Sequence, residues 1–232
     1  FAIAGMAVAF PVGIGLALVL GVVVNYLAAP IGSPGFLFGG VALVGGAILL
    51  DAVAYRRLPG QGQSAGTKGL VLSVLCGILM GFFYRFVAQS MSLNFADLEA
   101  GKLSPYSAVF VFSVGLLVSN LVFNSLIMKR PFVGAPVSFA EYFKGGLKLH
   151  SIGILGGAIW GVGMVLSIVA SGEAGFAISY GLGQGATMVA AVWGVFVWKE
   201  FAEAPAGTNR LIFLMFLGYF TGLILIIAAR FA

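Results

Sequence analysis

The chain has 232 residues, of which 61% are hydrophobic and only 8% charged, with 35 glycines and a formal net charge of +5. A water-soluble domain carries roughly 25% charged residues, and the few present here cannot coat a surface of this size against water. The medium is therefore lipid, a nucleic-acid partner is excluded, and the position of the cations relative to the membrane becomes the informative quantity.

Seven apolar stretches reach the roughly 20 residues that a ~30 Å hydrocarbon core demands: 2–28, 35–55, 69–89, 106–128, 151–170, 175–198 and 211–229. They are called spans 1 to 7 below. None alternates apolar and polar residues as barrel strands do, so the fold class is all-α, integral to a membrane. Phe1 enters span 1 without an initiator Met or a basic leader, which marks the chain as a fragment.

Between spans 2 and 3, Gly60-Gln61-Gly62-Gln63-Ser64-Ala65-Gly66-Thr67-Lys68 has Gly-Thr-Lys where a phosphate loop requires Gly-Lys-Ser/Thr, and no strand precedes it. It is expected to be a flexible linker. Cys76 lies inside span 3 and is the single cysteine, which excludes an intramolecular disulfide. The pair Gly77/Gly81 has the GxxxG spacing that lets helices approach closely in lipid. Arg85 lies 16 residues into span 3, about 24 Å along the axis, where it can snorkel outward or meet a ligand, with Gln89 one turn on. Asn120 and Asn124 in span 4, at i and i+4, read as helix–helix glue.

In the connection that follows, Ser138-Phe139-Ala140-Glu141 fits a capping box, and Phe139, Tyr142, Phe143 and Leu147 recur at helical spacing beside Lys144 and Lys148. A short interfacial helix near 138–148 is expected. Span 5 carries Gly153/Gly157 and Gly157/Gly161, and span 6 carries Gly181/Gly185, so spans 3, 5 and 6 are all expected to be packed in. Trp160 falls near the middle of span 5, away from an interfacial belt, and could stack a planar or sugar-like ligand. In span 6, Tyr180, Gln184 and Thr187 stand at i, i+4 and i+7 and share one face of a continuous helix. Hydroxyl and amide groups in a membrane helix face protein or water, which admits either inter-helix bonding or a substrate stripe.

The loops sort the charges. Arg56, Arg57, Lys68, Lys129, Arg130, Lys144, Lys148, Lys199 and Arg210 follow the even-numbered spans, while Lys102 and Arg230 lie on the other side. The positive-inside rule places the first set in the cytoplasm.

An internal repeat organises the spans. An offset of 170 residues lays Gly5, Ala7, Gly13, Gly15 and Val19 on Gly175, Ala177, Gly183, Gly185 and Val189; after a three-residue insertion, Gly21, Val22 and Val24 fall on Gly194, Val195 and Val197. The expected organisation is residues 1–56 as the last two helices of a first repeat, 57–68 as a cytoplasmic linker, and 69–232 as a complete five-helix second repeat. An odd helix number per repeat inverts the halves, which is the architecture of secondary transporters. The expectation is thus seven transmembrane helices of a ten-helix inverted-repeat (5+5) transporter whose N-terminal part is missing.

An enzyme is not expected. The sole histidine, His150, sits at a predicted interface, no HExxH or GxSxG occurs, and no helix presents a pair of acids for a metal or for acid–base work. No cofactor or metal is called for.

The stretch from Gly156 to Phe201, through Ile159-Trp160-Gly161, Gln184, Val192-Trp193-Gly194 and Lys199-Glu200, resembles the drug/metabolite transporter superfamily. Within it, the resemblance is to the bacterial glucose-uptake and rhamnose-transport group and to the plant-type ureide permeases. The order of the whole chain, with a basic linker after span 2 and Ser138-Phe139 to Tyr142-Phe143 before span 5, looks more like the ureide permeases. The chain departs from those relatives at Met164, where several carry an asparagine, and in its degraded phosphate-loop-like linker. The resemblance implies ten helices, a central cavity and transport of small polar metabolites, frequently with protons as the coupling ion.

The combined expectation is a permease of a bacterial cytoplasmic (inner) membrane that moves a ureide- or nucleobase-like heterocycle, or a sugar, by alternating access. Its substrate-binding residues would be Arg85, Trp160, Tyr180, Gln184 and Thr187. The rival is a non-transporting scaffold or receptor subunit in which the same side chains are buried in protein contacts.

Overall fold

The computed structural model describes residues 3–4, 6–59, 66–92 and 94–232. Seven helices are long and apolar enough to cross a membrane: Pro11–Ala28, Pro34–Arg56, Thr67–Ser90, Pro105–Lys129, Leu147–Ala174, Phe176–Val197 and Thr208–Ala228. The protein is an all-helical integral membrane protein, and the described residues hold no strand beyond an isolated bridge between Met91 and Leu103. Six residues of the linker after span 2, Gly60 to Ala65, lie outside the described set.

Two compact units make up the chain. The larger comprises Phe1–Gln89 and Ala170–Ala232, and thus spans 1, 2, 3, 6 and 7. Between membrane helices there is no hydrophobic force to exploit, so association depends on how closely backbones approach. Glycine supplies that approach here. Gly40 of span 2 lies against Gly222 of span 7, where a Cβ on Gly222 would stand 2.8 Å from the Gly40 carbonyl oxygen, and Gly218 abuts Leu43 and Ala47. As the residue number rises in one helix it falls in the other, so spans 2 and 7 are antiparallel. Spans 1 and 6 are antiparallel too, with Val22 beside Gly181 and Ile31 beside Gly175. Span 3 runs parallel to span 1: Gly69 meets Ala4, Gly77 meets Gly13 and Leu16, and Gly81 meets Leu20. The expectation that Gly77/Gly81 and Gly181/Gly185 pack helices is met on these contacts.

At one rim of this unit, Gly32 has φ +86°, and the place a Cβ would take there is occupied by the Ala229 carbonyl. Ser33 N–H donates to that same carbonyl at 2.7 Å, and Arg230 Nε donates to the Glu173 carbonyl at 2.5 Å. The other rim carries Arg56, Arg57, Lys199 and Arg210.

The smaller unit, Ser90–Val169, holds span 4 and most of span 5. Ser104 caps span 4 through the Ser107 N–H, with Pro105 at the first helical position. Val111, Leu117, Val118 and Leu121 of span 4 and Ile154, Ile159 and Val162 of span 5 are exposed, as suits contact with lipid. The expected capping box is present: Ser138 accepts from the Glu141 N–H and the Glu141 carboxylate accepts from the Ser138 N–H. That N–H holds the Glu141 carboxyl below its ordinary value.

Two expectations are corrected in this unit. The interfacial helix covers Phe139–Phe143 rather than 138–148, because Gly145 and Gly146 end it and Leu147 already opens span 5. The glycines of span 5 are not packed in: a Cβ on Gly153, Gly157 or Gly161 meets nothing within 4 Å.

Candidate functional site

Two of the spans in the larger unit are interrupted. Span 1 is α-helical over Met6–Ala9 and Leu16–Ala28 but widens to a π-helix over Phe10–Gly15, where Pro11 removes a backbone donor and Gly13 and Gly15 permit the looser turn. Span 6 is α-helical over Phe176–Gly183 and Ala186–Val192, and between them Gln184 and Gly185 form a turn. The bonds there run to the third preceding residue, Gln184 N–H to Gly181, Gly185 N–H to Leu182 and Thr187 N–H to Gln184. Under the 170-residue offset, Gly13-Ile14-Gly15 is the counterpart of Gly183-Gln184-Gly185. The register that sets Val22 beside Gly181, continued down the antiparallel pair, sets Gln184 opposite Val19, about 6 Å of rise from the end of the π-helix at Gly15.

The break overturns the single face expected for Tyr180, Gln184 and Thr187. A turn bonded to the third residue advances the chain by 3.0 rather than 3.6 residues per turn, so Gln184 and Thr187 rotate away from Tyr180. The Gly-Leu-Gly-Gln-Gly run is the physical reason, since each glycine weakens the helix by about 1 kcal/mol.

Tyr180 is only 4% exposed. Its hydroxyl lies 3.0 Å from the carbonyls of both Ala17 and Met80, so it donates within a fork that ties span 6 to spans 1 and 3. The ring packs on Tyr84 with centroids 5.5 Å apart, and Gly21 leaves the room it occupies. Gln184, by contrast, is partly exposed, and Thr187 Oγ1 donates to the Gln184 carbonyl at 2.6 Å. Arg85 follows Tyr84 on span 3 and is partly exposed; Trp160 is half-exposed and belongs to the smaller unit.

The structure adds groups the sequence pattern did not mark. Tyr219 of span 7 is fully buried, yet its hydroxyl has no hydrogen-bond partner among the described residues. Thr187 is near enough to act on that phenol without closing a regular hydrogen bond, and its oxygen is free to accept because its proton goes to Gln184. Asp51, buried in span 2, lies within electrostatic range of Tyr219 and of Glu200. One turn on, the Tyr55 hydroxyl donates to Glu200 Oε2 at 2.5 Å, and Gly194 makes space for that carboxylate. Tyr219 escaped notice because a tyrosine among Phe, Leu and Ile carries no periodic signal; only its unsatisfied hydroxyl distinguishes it. Asp51 lies near the end of an apolar run, and its burial is visible only in the structure.

No His, Cys, Asp or Glu cluster suited to a metal ion occurs among the described residues. The polar set offers neutral donors and acceptors, a hydroxyl pair and an amide, at a point where the helix is interrupted. That arrangement can recognise an uncharged solute bearing amide, imide or hydroxyl groups.

Comparison with known proteins gives one family match, ureide permease, over residues 55–229. Ureide permease 1 of Arabidopsis thaliana is 24% identical over 79% of this chain and 47% of its own length. Ureide permease 2 of the same plant is 24% identical over 69% of this chain and 41% of its own length. Transmembrane protein 144 homolog B of Dictyostelium discoideum is 27% identical over 65% of this chain and 38% of its own length. The chain thus spans about half the length of the curated relatives it matches. No solved structure matches.

Proposed function

Because the chain belongs to the ureide permease family, we propose that it forms part of a secondary transporter that carries a small, uncharged, hydrogen-bonding solute across the cytoplasmic membrane by alternating access. A ureide or nucleobase-like heterocycle is the first candidate and a sugar the second. The observation that carries this reading is the pair of interruptions at equivalent positions of spans 1 and 6, with the unsatisfied Tyr219 hydroxyl beside Thr187. Broken helices in corresponding places of two repeats are where transporters expose backbone groups to substrate. An unpartnered hydroxyl buried in a membrane protein costs stability unless something else satisfies it during the cycle.

On this reading, Gln184, Thr187 and Tyr219 bind the solute, Arg85 borders its path, and Tyr180 braces the site rather than touching the solute. Residues 1–56 are the last two helices of a first repeat, and 69–232 the five helices of a second. The antiparallel contacts of span 1 with span 6 and of span 2 with span 7 support an inverted arrangement. Protons are the proposed coupling ion, with Asp51 the buried acid placed to carry one.

The burial of Tyr180 favours a second reading on its own: a non-transporting scaffold would use the residue in the same manner. The two readings separate at Gln184. Counterflow by the full-length protein with allantoin, uracil and glucose, normalised to folded protein, should show Gln184→Ala abolishing or strongly weakening uptake while Asn120→Ala stays near wild type. Equal, small effects of both substitutions would defeat the substrate assignment.

A further inference from the structure

At the rim that carries Lys199 and Arg210, an open groove of about 460 Å³ lies between the end of span 6 and the start of span 7. Its lining includes Phe196, Ile212, Phe213 and Phe216, with Lys199 and Asn209 as its polar members. Phe196 and Phe216 stack with centroids 5.7 Å apart, and Phe196 and Phe213 each remain 65% exposed. Trp193 and Trp198 beside this groove are both exposed and packed edge to face at 6.5 Å, and amphipathic rings of this kind favour the headgroup level of a bilayer.

The backbone explains why the lysine serves the groove. Lys199 has φ 54°, the only left-handed non-glycine residue among those described, a conformation that persists only when its surroundings impose it. They do: the Trp198 N–H donates to the Trp193 carbonyl at 3.0 Å, and the Glu200 N–H donates to the Gly194 carbonyl at 3.1 Å. The Glu200 carboxylate is in turn held by the Tyr55 hydroxyl. Successive side chains are therefore sent apart, Glu200 to Tyr55 and Lys199 to the groove, so the neighbouring acid does not neutralise the lysine.

We propose that this groove binds one anionic phospholipid, its phosphate held by the Lys199 ammonium and the Asn209 amide and its acyl chain laid along Phe196, Phe213 and Phe216. Lysine recognises phosphate as a point charge, and basic pockets between transmembrane helices at this rim select anionic headgroups. A zwitterionic headgroup brings its own cation to the lysine and loses that selection. The proposal stands whether or not the protein is a transporter.

The test is native mass spectrometry of the full-length protein in detergent with phosphatidylglycerol, phosphatidylcholine or inorganic phosphate added. Wild type should retain phosphatidylglycerol at least tenfold better than phosphatidylcholine, and inorganic phosphate should not displace it. Lys199→Gly should lose that preference by at least tenfold while its thermal unfolding, followed by tryptophan fluorescence, stays at or above wild type, since glycine adopts this backbone without strain. Lys129→Gln should behave as wild type. Equal retention of the two lipids, retention unchanged by a folded Lys199→Gly, or displacement by phosphate alone would each overturn the proposal.

Discussion

Substituting Gly21 by alanine places the most direct load on the contact between spans 1 and 6. A Cβ there would overlap Cε1 and Cζ of the Tyr180 ring. The ring has nowhere to retreat, with Tyr84 and Phe83 at centroid distances of 5.5 and 6.4 Å and the hydroxyl held 3.0 Å from two carbonyls. Over-packing of this kind costs about 1–3 kcal/mol. Displacing the ring adds the loss of an interhelical hydrogen bond, about 0.6 kcal/mol on average and up to about 1.7, while the better helix propensity of alanine returns about 1 kcal/mol. Gly21→Ala should therefore destabilise the protein by about 1–3 kcal/mol. Tyr180→Phe should cost only the hydrogen bond, because the carbonyls of Ala17 and Met80 retain their helical partners. The double substitution Gly21→Ala/Tyr180→Leu removes the overlap and should recover about 1–2 kcal/mol relative to additivity. Unfolding in mixed micelles with increasing SDS, read by tryptophan fluorescence, measures these three variants and the single Tyr180→Leu that the additivity comparison requires. A loss below about 0.5 kcal/mol for Gly21→Ala, or strict additivity in the double variant, would refute the account of Gly21 as the space that seats Tyr180.

The same measurement should separate two kinds of glycine: Gly222→Ala drives a Cβ to 2.8 Å from the Gly40 carbonyl and should cost about 1–3 kcal/mol, whereas Gly157→Ala meets open space and should be neutral or stabilising by up to about 1 kcal/mol. Tyr219→Phe removes a buried hydroxyl that has no hydrogen-bond partner among the described residues, so stability should hold or rise by about 1–3 kcal/mol while counterflow falls; a destabilised variant with normal uptake would show that the hydroxyl is structural. Because the Ser138 N–H depresses the Glu141 carboxyl, the capping box is complete at neutral pH and is lost only as pH falls below the ordinary glutamate range through the lower value of Glu141 itself. Amide protection factors at Glu141 and Tyr142, corrected for intrinsic exchange, should fall over that window in wild type and be low at every pH in Ser138→Ala.

The seven spans were legible in the sequence because lipid imposes a coarse demand, some 20 apolar residues per crossing, and the chain meets it seven times with ends that, apart from the start of the first, shift by only a few residues. Ser138 with Glu141 placed the start of the interfacial helix, since caps act on their own neighbours. Its end was misjudged: Leu147 continues the helical spacing, and the spacing outweighed Gly145-Gly146. The glycine spacings were a weaker guide. Gly77/Gly81 and Gly153/Gly157/Gly161 are indistinguishable as text, yet only the first pair has a partner helix against it.

What the sequence determined by itself was what local chemistry and the solvent decide: helices that cross lipid, cations gathered on one side, glycine runs where a helix is weak, and the polar residues Gln184 and Thr187 beside one such run. What only the tertiary structure decided was which of those groups remain available. Tyr180 and Tyr219 are both buried tyrosines in apolar helices, but the first finds the carbonyls of Ala17 and Met80 and the second finds no partner among the described residues. The difference arises from residues 100 or more positions away in the chain, brought near by close glycine contacts, and the satisfaction of a buried hydroxyl is a property of that assembled neighbourhood rather than of the helix that carries it.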